Sequence, residues 1–198
     1  MTGRVPLAPG FSQRLDATGT TLWLTGLPGA GKSTIAEALC AHLEQMGTAC
    51  VHLDGDDLRR GLNSDLDFTR EGRSEAVRRA GEVAIVAARS GLFVVVSLVS
   101  PFRSDRIAVQ RRHAEEGVDF VEVWVSTPME VCEARDPKGL YARARSGAMV
   151  GMTGVDDPYE PPESPDLELF ADGCSVGSLV RVLLDHLLLR GTAAVPVE

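Results

Sequence analysis

The stretch Gly26-Leu27-Pro28-Gly29-Ala30-Gly31-Lys32-Ser33-Thr34 constrains this chain more than any other part of it. It follows the apolar run Leu22-Trp23-Leu24 and precedes the helix-forming run Ile35-Ala36-Glu37-Ala38-Leu39. Glycines at 26, 29 and 31 let the backbone turn tightly and aim its N–H groups into one concavity, to which the following helix adds the positive end of its dipole. Such a concavity binds phosphate. Lys32 reaches the outer phosphates of a nucleoside triphosphate, and the Ser33 hydroxyl is placed to ligate the Mg²⁺ that bridges them. A glycine-rich turn that bound nothing would have no need of the complete G-x-x-x-x-G-K-[ST] pattern between a strand and a helix.

Around this turn the chain alternates in type. Strands are expected over 21–25, 50–53, 93–98, 120–125 and 167–170, and helices over 32–46, 74–90, 105–116 and 128–134. A last helix, capped by Ser175, is expected to run through Leu187-Leu188-Leu189 to Gly191. Strands such as Val94-Val95-Val96 are near-continuous apolar runs, as in a parallel sheet covered on both faces. The alternation predicts a three-layer α/β P-loop fold with a mostly parallel five-stranded sheet and right-handed crossovers. At 198 residues the chain has a one-domain length. Residues 1–18 mix Pro, Gly and polar residues without period and are expected to be a flexible arm on a domain at 19–198. Residues 136–165 form a Pro- and Gly-rich stretch too long for an ordinary connection, which makes them either disordered or a lid.

A net charge of −8 argues against a general nucleic-acid binder. The longest apolar run, Leu92 to Val99, is too short for a membrane span, and no stretch resembles a signal peptide, so a cytoplasmic protein without membrane contact is expected. Cys40, Cys50, Cys132 and Cys174 show no metal spacing; they read as small buried hydrophobes in a reducing compartment, with no zinc site. Of the 20 basic residues only Lys32 and Lys138 are lysines. Retaining lysine at two places in an arginine-rich chain points to a need there for a compact ammonium rather than a planar fork.

In an open α/β sheet, ligands bind beyond the carboxyl ends of the strands. After the second strand comes Asp54-Gly55-Asp56-Asp57-Leu58-Arg59-Arg60. This stretch offers either an outer-shell Mg²⁺ ligand, a general base for an attacking hydroxyl and an anion clamp on the acceptor, or simply an acidic helix N-terminus with solvated arginines behind it; its place after a strand beside the phosphate loop favours the first. Arg70, Arg73, Arg78 and Arg79 crowd the next helix, either as surface charge pairs or, for at least one of them, as a ligand contact. Ser100, after the third strand, is open to two roles, helix N-cap or phosphate hydrogen-bond donor.

Taken together, these strings resemble the adenylylsulfate kinases, P-loop enzymes that phosphorylate the ribose 3′-hydroxyl of adenosine 5′-phosphosulfate with MgATP. The resemblance covers roughly residues 20–188. It is carried by Leu53-Asp54-Gly55-Asp56, Arg59 with Gly61-Leu62-Asn63, Ser100-Pro101, Asp136-Pro137-Lys138-Gly139-Leu140-Tyr141, Thr153-Gly154-Val155-Asp156 and Pro158-Tyr159-Glu160. It implies ATP and Mg²⁺ as cofactors, with ATP on residues 26–34 and Arg135, and the metal on Ser33 and Asp54. Asp56 would act near the attacking hydroxyl, and Arg59, Asn63, Phe68, Arg73, Val77 and Arg78 would line the acceptor pocket. Lys138, Leu140, Met152 and Gly154 would close over it from the lid. Ser100 occupies the position often designated a phosphoserine intermediate, although direct in-line transfer needs none and is the reading preferred here. Lys32, Asp54, Asp56 and Ser100 make up the catalytic set. The implied partner is a small nucleotide substrate, with no nucleic acid and no membrane, and a homodimer is the default assembly.

The chain departs from the family pattern at several places. Asp57 stands where the family usually has Asn, Asp67 where it has Gly, Thr69 where it has Ser, Gly72 where it has Asp and Ala76 where it has Asn. Met152 replaces the aromatic residue that stacks on the substrate adenine opposite Phe68, and a thioether is softer and less base-selective than a ring. Two alternatives follow. One is a kinase on another nucleotide-linked anion, such as a cytidine diphosphate conjugate; the other is a nucleotide-binding regulatory protein without turnover.

Overall fold

Every residue of β1 (Thr20–Thr25) is buried, and its side chains divide between the two faces of the sheet. Leu22 and Leu24 enter one apolar cluster and Trp23 the other, the period-two division of a central strand. The structure is a computed structural model and describes residues 19–193. The arm expected over 1–18 lies outside the described residues.

From β1 the chain passes through α1 (Lys32–Gln45), β2 (Cys50–Asp54), α2 (Gly55–Arg60), α3 (Arg70–Arg89), β3 (Phe93–Ser97) and α4 (Arg103–Glu115). It continues through β4 (Asp119–Val125), α5 (Met129–Arg135), α6 (Leu140–Arg145), β5 (Leu167–Leu169) and α7 (Val176–Ala193). The sheet order is β2-β3-β1-β4-β5 and every pairing is parallel, so the expected five-stranded sheet has no antiparallel member. The chain leaves β1 toward one edge of the sheet and β4 toward the other, which opens a crevice at their carboxyl ends. Ile35, Leu39 and Leu43 of α1 pack with Leu179, Leu183 and Leu187 of α7 on one face. Ala80, Ala84, Ile85 and Ala88 of α3 pack with Val109 of α4 on the other. There the helices approach so closely that a Cβ on Gly81 would sit 3.0 Å from the Val109 side chain.

Several expectations are corrected. Helix α3 begins a turn earlier than position 74, because Thr69 caps it by accepting a hydrogen bond from the Gly72 N–H at 3.1 Å. Residues 55–60 form the short helix α2, capped by Asp54, and the stretch 136–165 contains α6; neither helix was expected. Both are short and carry no apolar stripe, α2 having no buried residue and α6 only Tyr141. Beyond α6, residues 136–165 carry turns and one isolated bridge between Thr153 and Asp157. Ser175 does cap α7, its Oγ accepting from the Ser178 N–H at 3.2 Å.

The cysteine reading also changes. Cys40 and Cys50 form a disulfide, their Cα atoms 5.5 Å apart where the end of α1 returns beside the start of β2. Cys132 is buried and free as expected, but Cys174 is exposed. Cysteine usage therefore gives no support to a reducing compartment. Among the described residues no helix is long and apolar enough to cross a membrane, and no group of three metal-ligating side chains occurs.

Candidate active site

A cavity of about 650 Å³ opens at the carboxyl ends of the strands. Its first wall is the loop between β1 and α1. Gly29 and Gly31 adopt φ of +78° and +104°, left-handed conformations that a side chain would strain, and Gly31 is the N-cap of α1. Residues 28–35 line the cavity, whereas Gly26 and Leu27 lie behind it. Lys32 is 8% exposed, and its ammonium donates to the carbonyls of Gly26 and Leu27, both at 2.8 Å. Burial pushes its pKa down to about 8, against smaller opposing pulls from Cys132, Asp54 and Asp56.

At the end of β2 the Asp54 carboxylate faces this loop. One oxygen accepts from Ser33 Oγ at 2.6 Å and Ser97 Oγ at 2.7 Å, and the other accepts from the Asp56 N–H at 2.9 Å. Burial works to raise its pKa, but these hydrogen bonds together hold the carboxyl below its ordinary range. The Ser97 hydroxyl is itself 2.8 Å from His52 Nε2. Because Ser97 donates to Asp54, His52 presents an N–H to it. Ser97 and His52 were missed in the sequence, where the only trace was a hydroxyl ending the apolar run Val94-Val95-Val96. Asp56 pairs with Lys138, which reaches the cavity from the turn between α5 and α6.

The opposite wall is built on α2 and α3. Phe68 is half exposed, with the Arg59 guanidinium 4.1 Å from its ring centroid and the Arg73 guanidinium 5.4 Å from it. Arg59 is held by the carbonyls of Leu66 and Asp67, and Arg73 by those of Phe68 and Gly151, so both cations are aligned before any ligand arrives. Asn63 is 1% exposed and lines the cavity, and neither its Nδ2 nor its Oδ1 finds a hydrogen-bond partner among the described residues. A buried amide in that condition is destabilising unless a polar ligand satisfies it. Val77, Leu140, Met152 and Arg135 also reach the cavity; Met152 is 2% exposed and packs in the α1–α7 cluster as well.

Two assigned residues lie elsewhere. Arg78 pairs with Glu75 and lines a separate groove between α3 and α4. Five residues on from Arg73 is a rotation of about 140° around the helix, which carries it off the cavity face. Gly154 sits behind the cavity against the phosphate loop, where a Cβ would be 2.7 Å from Leu27 Cδ2. Ser100 lines the cavity, yet its hydroxyl accepts from Trp23 Nε1 at 3.1 Å and donates to Thr25 Oγ1 at 3.0 Å, and it is not the N-cap of α4, a place taken by Phe102. A Cβ on Gly72 would lie 2.3 Å from Asp67 Oδ1 and 2.7 Å from the Asp67 carbonyl oxygen, so this backbone leaves no room for a side chain at 72.

The adenylylsulphate kinase family model matches residues 18–170. Adenylyl-sulfate kinase 1, chloroplastic, of Arabidopsis thaliana is 53% identical over 159 residues, which are 80% of this chain and 57% of that protein. The adenylyl-sulfate kinase of Paraburkholderia xenovorans is 49% identical over 175 residues, covering 88% of this chain and 96% of its own length. This chain thus spans little more than half of the plant protein and nearly all of the bacterial one. Among solved structures, the Mycobacterium tuberculosis APS kinase in complex with AMPPNP and APS superposes with a TM-score of 0.84 at 43% identity, over 86% of this chain and 98% of the other. With a family match over most of its length and full-length relatives at half identity, this chain belongs to the adenylylsulphate kinase family.

Proposed function

We propose that this protein transfers the γ-phosphoryl group of ATP to the 3′-hydroxyl of adenosine 5′-phosphosulfate, forming 3′-phosphoadenosine 5′-phosphosulfate. The observation that carries the reading is the two-sided cavity: a phosphate loop on one wall, and on the other an aromatic ring with two guanidiniums near it and an unsatisfied buried amide. The first suits a triphosphate, the second a base and an anionic linkage. The solved relative carries AMPPNP and APS, the same pair of ligand classes. An ADP-release assay with ATP against a panel of nucleotide acceptors tests the reading. Turnover highest with adenylylsulfate is expected; a preference for a cytidine diphosphate conjugate, or no turnover with any acceptor, would replace it with one of the two alternatives.

In this reading the phosphate loop and Lys32 hold the triphosphate, Arg59, Phe68, Asn63 and Arg73 hold the acceptor, and Lys138 and Leu140 close from the lid. Ser33 Oγ and Asp54, hard oxygen donors 2.6 Å apart at the loop, fit Mg²⁺ and would hold it. When bound, such an ion neutralises charge on the phosphoryl oxygens. Asp56 takes the proton of the attacking hydroxyl. A homodimeric assembly and a cytoplasmic location complete the proposal.

Lys32 gives the reading a pH signature. Phosphate oxygens beside the ammonium raise its pKa, so binding takes up a proton wherever the free protein has lost one. Above pH 8 or so the free loop is increasingly neutral at Lys32. Apparent affinity for ATP should therefore fall as pH rises, approaching about tenfold per pH unit. Calorimetry at roughly pH 8.5, in buffers differing in ionisation enthalpy, should show proton uptake on binding; no uptake would dissociate Lys32 from the triphosphate.

Direct transfer makes a further prediction. Ser100→Ala removes the acceptor of the Trp23 N–H and should cost about 1–3 kcal/mol of stability. Turnover should stay within about tenfold of wild type, since an in-line attack by a positioned hydroxyl needs no seryl detour. A folded but inactive variant, with phosphoserine at position 100 detected in the wild type by mass spectrometry, would establish the covalent route instead.

A further inference from the structure

We infer that Tyr159 and Arg106 are positioning residues: they fasten the returning arm of the lid segment to the carboxyl ends of β1 and β3, and thereby hold Met152 and Thr153 against the acceptor half of the cavity.

The clasp begins at Thr25, the last residue of β1. Its Oγ1 lies 2.8 Å from the Val99 carbonyl, 3.0 Å from Ser100 Oγ and 3.1 Å from Tyr159 OH. A threonine hydroxyl has one proton, and the carbonyl can only accept it, so both other hydroxyls must donate to Thr25. Tyr159 therefore acts as a donor, and burial, which pushes its phenol up to about 12, keeps it protonated. The second half of the clasp is Arg106 on α4, 2% exposed. Its planar fork donates to the Ser100 carbonyl, the Glu160 carbonyl and the Glu122 carboxylate, each at 2.7 Å. One buried cation thus joins the loop after β3, the end of the lid arm and strand β4. The Glu160 N–H donates to the Pro101 carbonyl at 2.9 Å, and the Glu160 carboxylate accepts from the Arg103 N–H at 2.8 Å. Ser100 is held at φ +38° between these contacts, a conformation that a non-glycine residue keeps only when its surroundings over-determine it.

The clasp is rigidly connected to the cavity wall. Pro158 alone separates Tyr159 from a tight knot over residues 151–157. Within it the Asp156 carboxylate accepts the N–H groups of Gly151 and Met152 at 2.6 Å, and the Gly154 N–H donates to the Asp157 carbonyl at 2.7 Å. Met152 and Thr153 emerge from this knot into the cavity. Apolar packing would bury the arm equally well without fixing its register. Hydrogen bonds to carbonyls fix direction, and this arm meets the sheet through a phenol, a guanidinium and a carboxylate.

The assignment of the wall to the acceptor rests on the adenylylsulfate reading, and the test separates the two. Tyr159→Phe removes one oxygen and keeps the ring. The KM for adenylylsulfate should rise about five- to tenfold, the worth of one lost hydrogen bond, with kcat and the KM for ATP within about twofold of wild type. Arg106→Lys, which keeps the charge but loses the fork, should move the same constant in the same direction. Hydrogen exchange in Tyr159→Phe should quicken in peptides covering 149–160 and stay unchanged in those covering the phosphate loop. An unchanged acceptor KM, or a rise in both KM values together with a fall in melting temperature, would overturn the positioning role. If the wild type does not turn over adenylylsulfate, the activity reading fails on its own. The exchange measurement then decides the clasp: quickening confined to 149–160 supports it and no change overturns it.

Discussion

Lys32→Ala should abolish phosphoryl transfer, lowering kcat by about 10²–10³ or more, while the protein stays folded. The side chain is buried, but it lines the cavity and its ammonium rests on two carbonyls of its own loop. Taking that ammonium out of water is unfavourable, as its lowered pKa records, so removing it should leave the melting temperature near the wild-type value. What the variant loses is a positive charge where negative charge gathers during transfer. Lys32→Arg should lose nearly as much, because a planar fork does not fit between the carbonyls of Gly26 and Leu27 as a compact ammonium does. The measurements are steady-state turnover and thermal melting of the purified variants. Near-normal turnover in Lys32→Ala would remove the phosphate-loop assignment and the function built on it.

The parts of this fold that were legible in the sequence are those whose stability is written locally. Strands β1, β3 and β4 carry the apolar runs Leu22-Trp23-Leu24, Phe93-Val94-Val95-Val96 and Val123-Trp124-Val125, and the glycine-rich turn after β1 admits few backbones. What could not be read depends on contacts between distant residues. Helix α2 has no buried residue, and its Asp54 cap was visible only as one carboxylate in a group of three. The Cys40–Cys50 bond exists because α1 and β2 run back past each other, a fact of chain reversal that a spacing of ten does not announce. Along α3, Arg73 and Arg78 looked equivalent as letters, and the phase of the helix separated them. Nothing in the sequence sets Arg106 apart from the other arginines of its polar helix; Ser100, Glu160 and Glu122 converge on it only in the fold. The contact between residues 67 and 72, where side chain and main chain of Asp67 leave no room for a Cβ at Gly72, is likewise invisible in the letters.

Asp56→Asn should lower kcat by about 10²–10⁴ and leave the KM for ATP nearly unchanged, the result expected for loss of a general base. Three carboxylates compete for this role, and the geometry separates them. Asp54 has both oxygens engaged, by Ser33 and Ser97 on one and by the Asp56 N–H on the other, and its carboxyl is held below the ordinary range, which makes it a poor proton acceptor. Asp57 is turned to solvent and pairs with Arg60 away from the cavity. Asp56 lines the cavity, and its ordered side-chain contact is Lys138, across a pair in which both side chains are more than half exposed. An ion pair that exposed is worth little, on the order of 0–1 kcal/mol, so a polyphosphate can draw Lys138 away and free Asp56 for the hydroxyl proton. Asparagine keeps the size and the hydrogen-bonding oxygen while removing the basicity, so the substitution isolates proton transfer from packing. Asp57→Asn, one residue on, should stay within about twofold of wild type, as surface substitutions do. If Asp56→Asn retained most of its kcat while Asp57→Asn lost it, the base would lie on the outer face of α2, and the acceptor would have to approach from solvent rather than from the wall that holds Phe68 and Asn63.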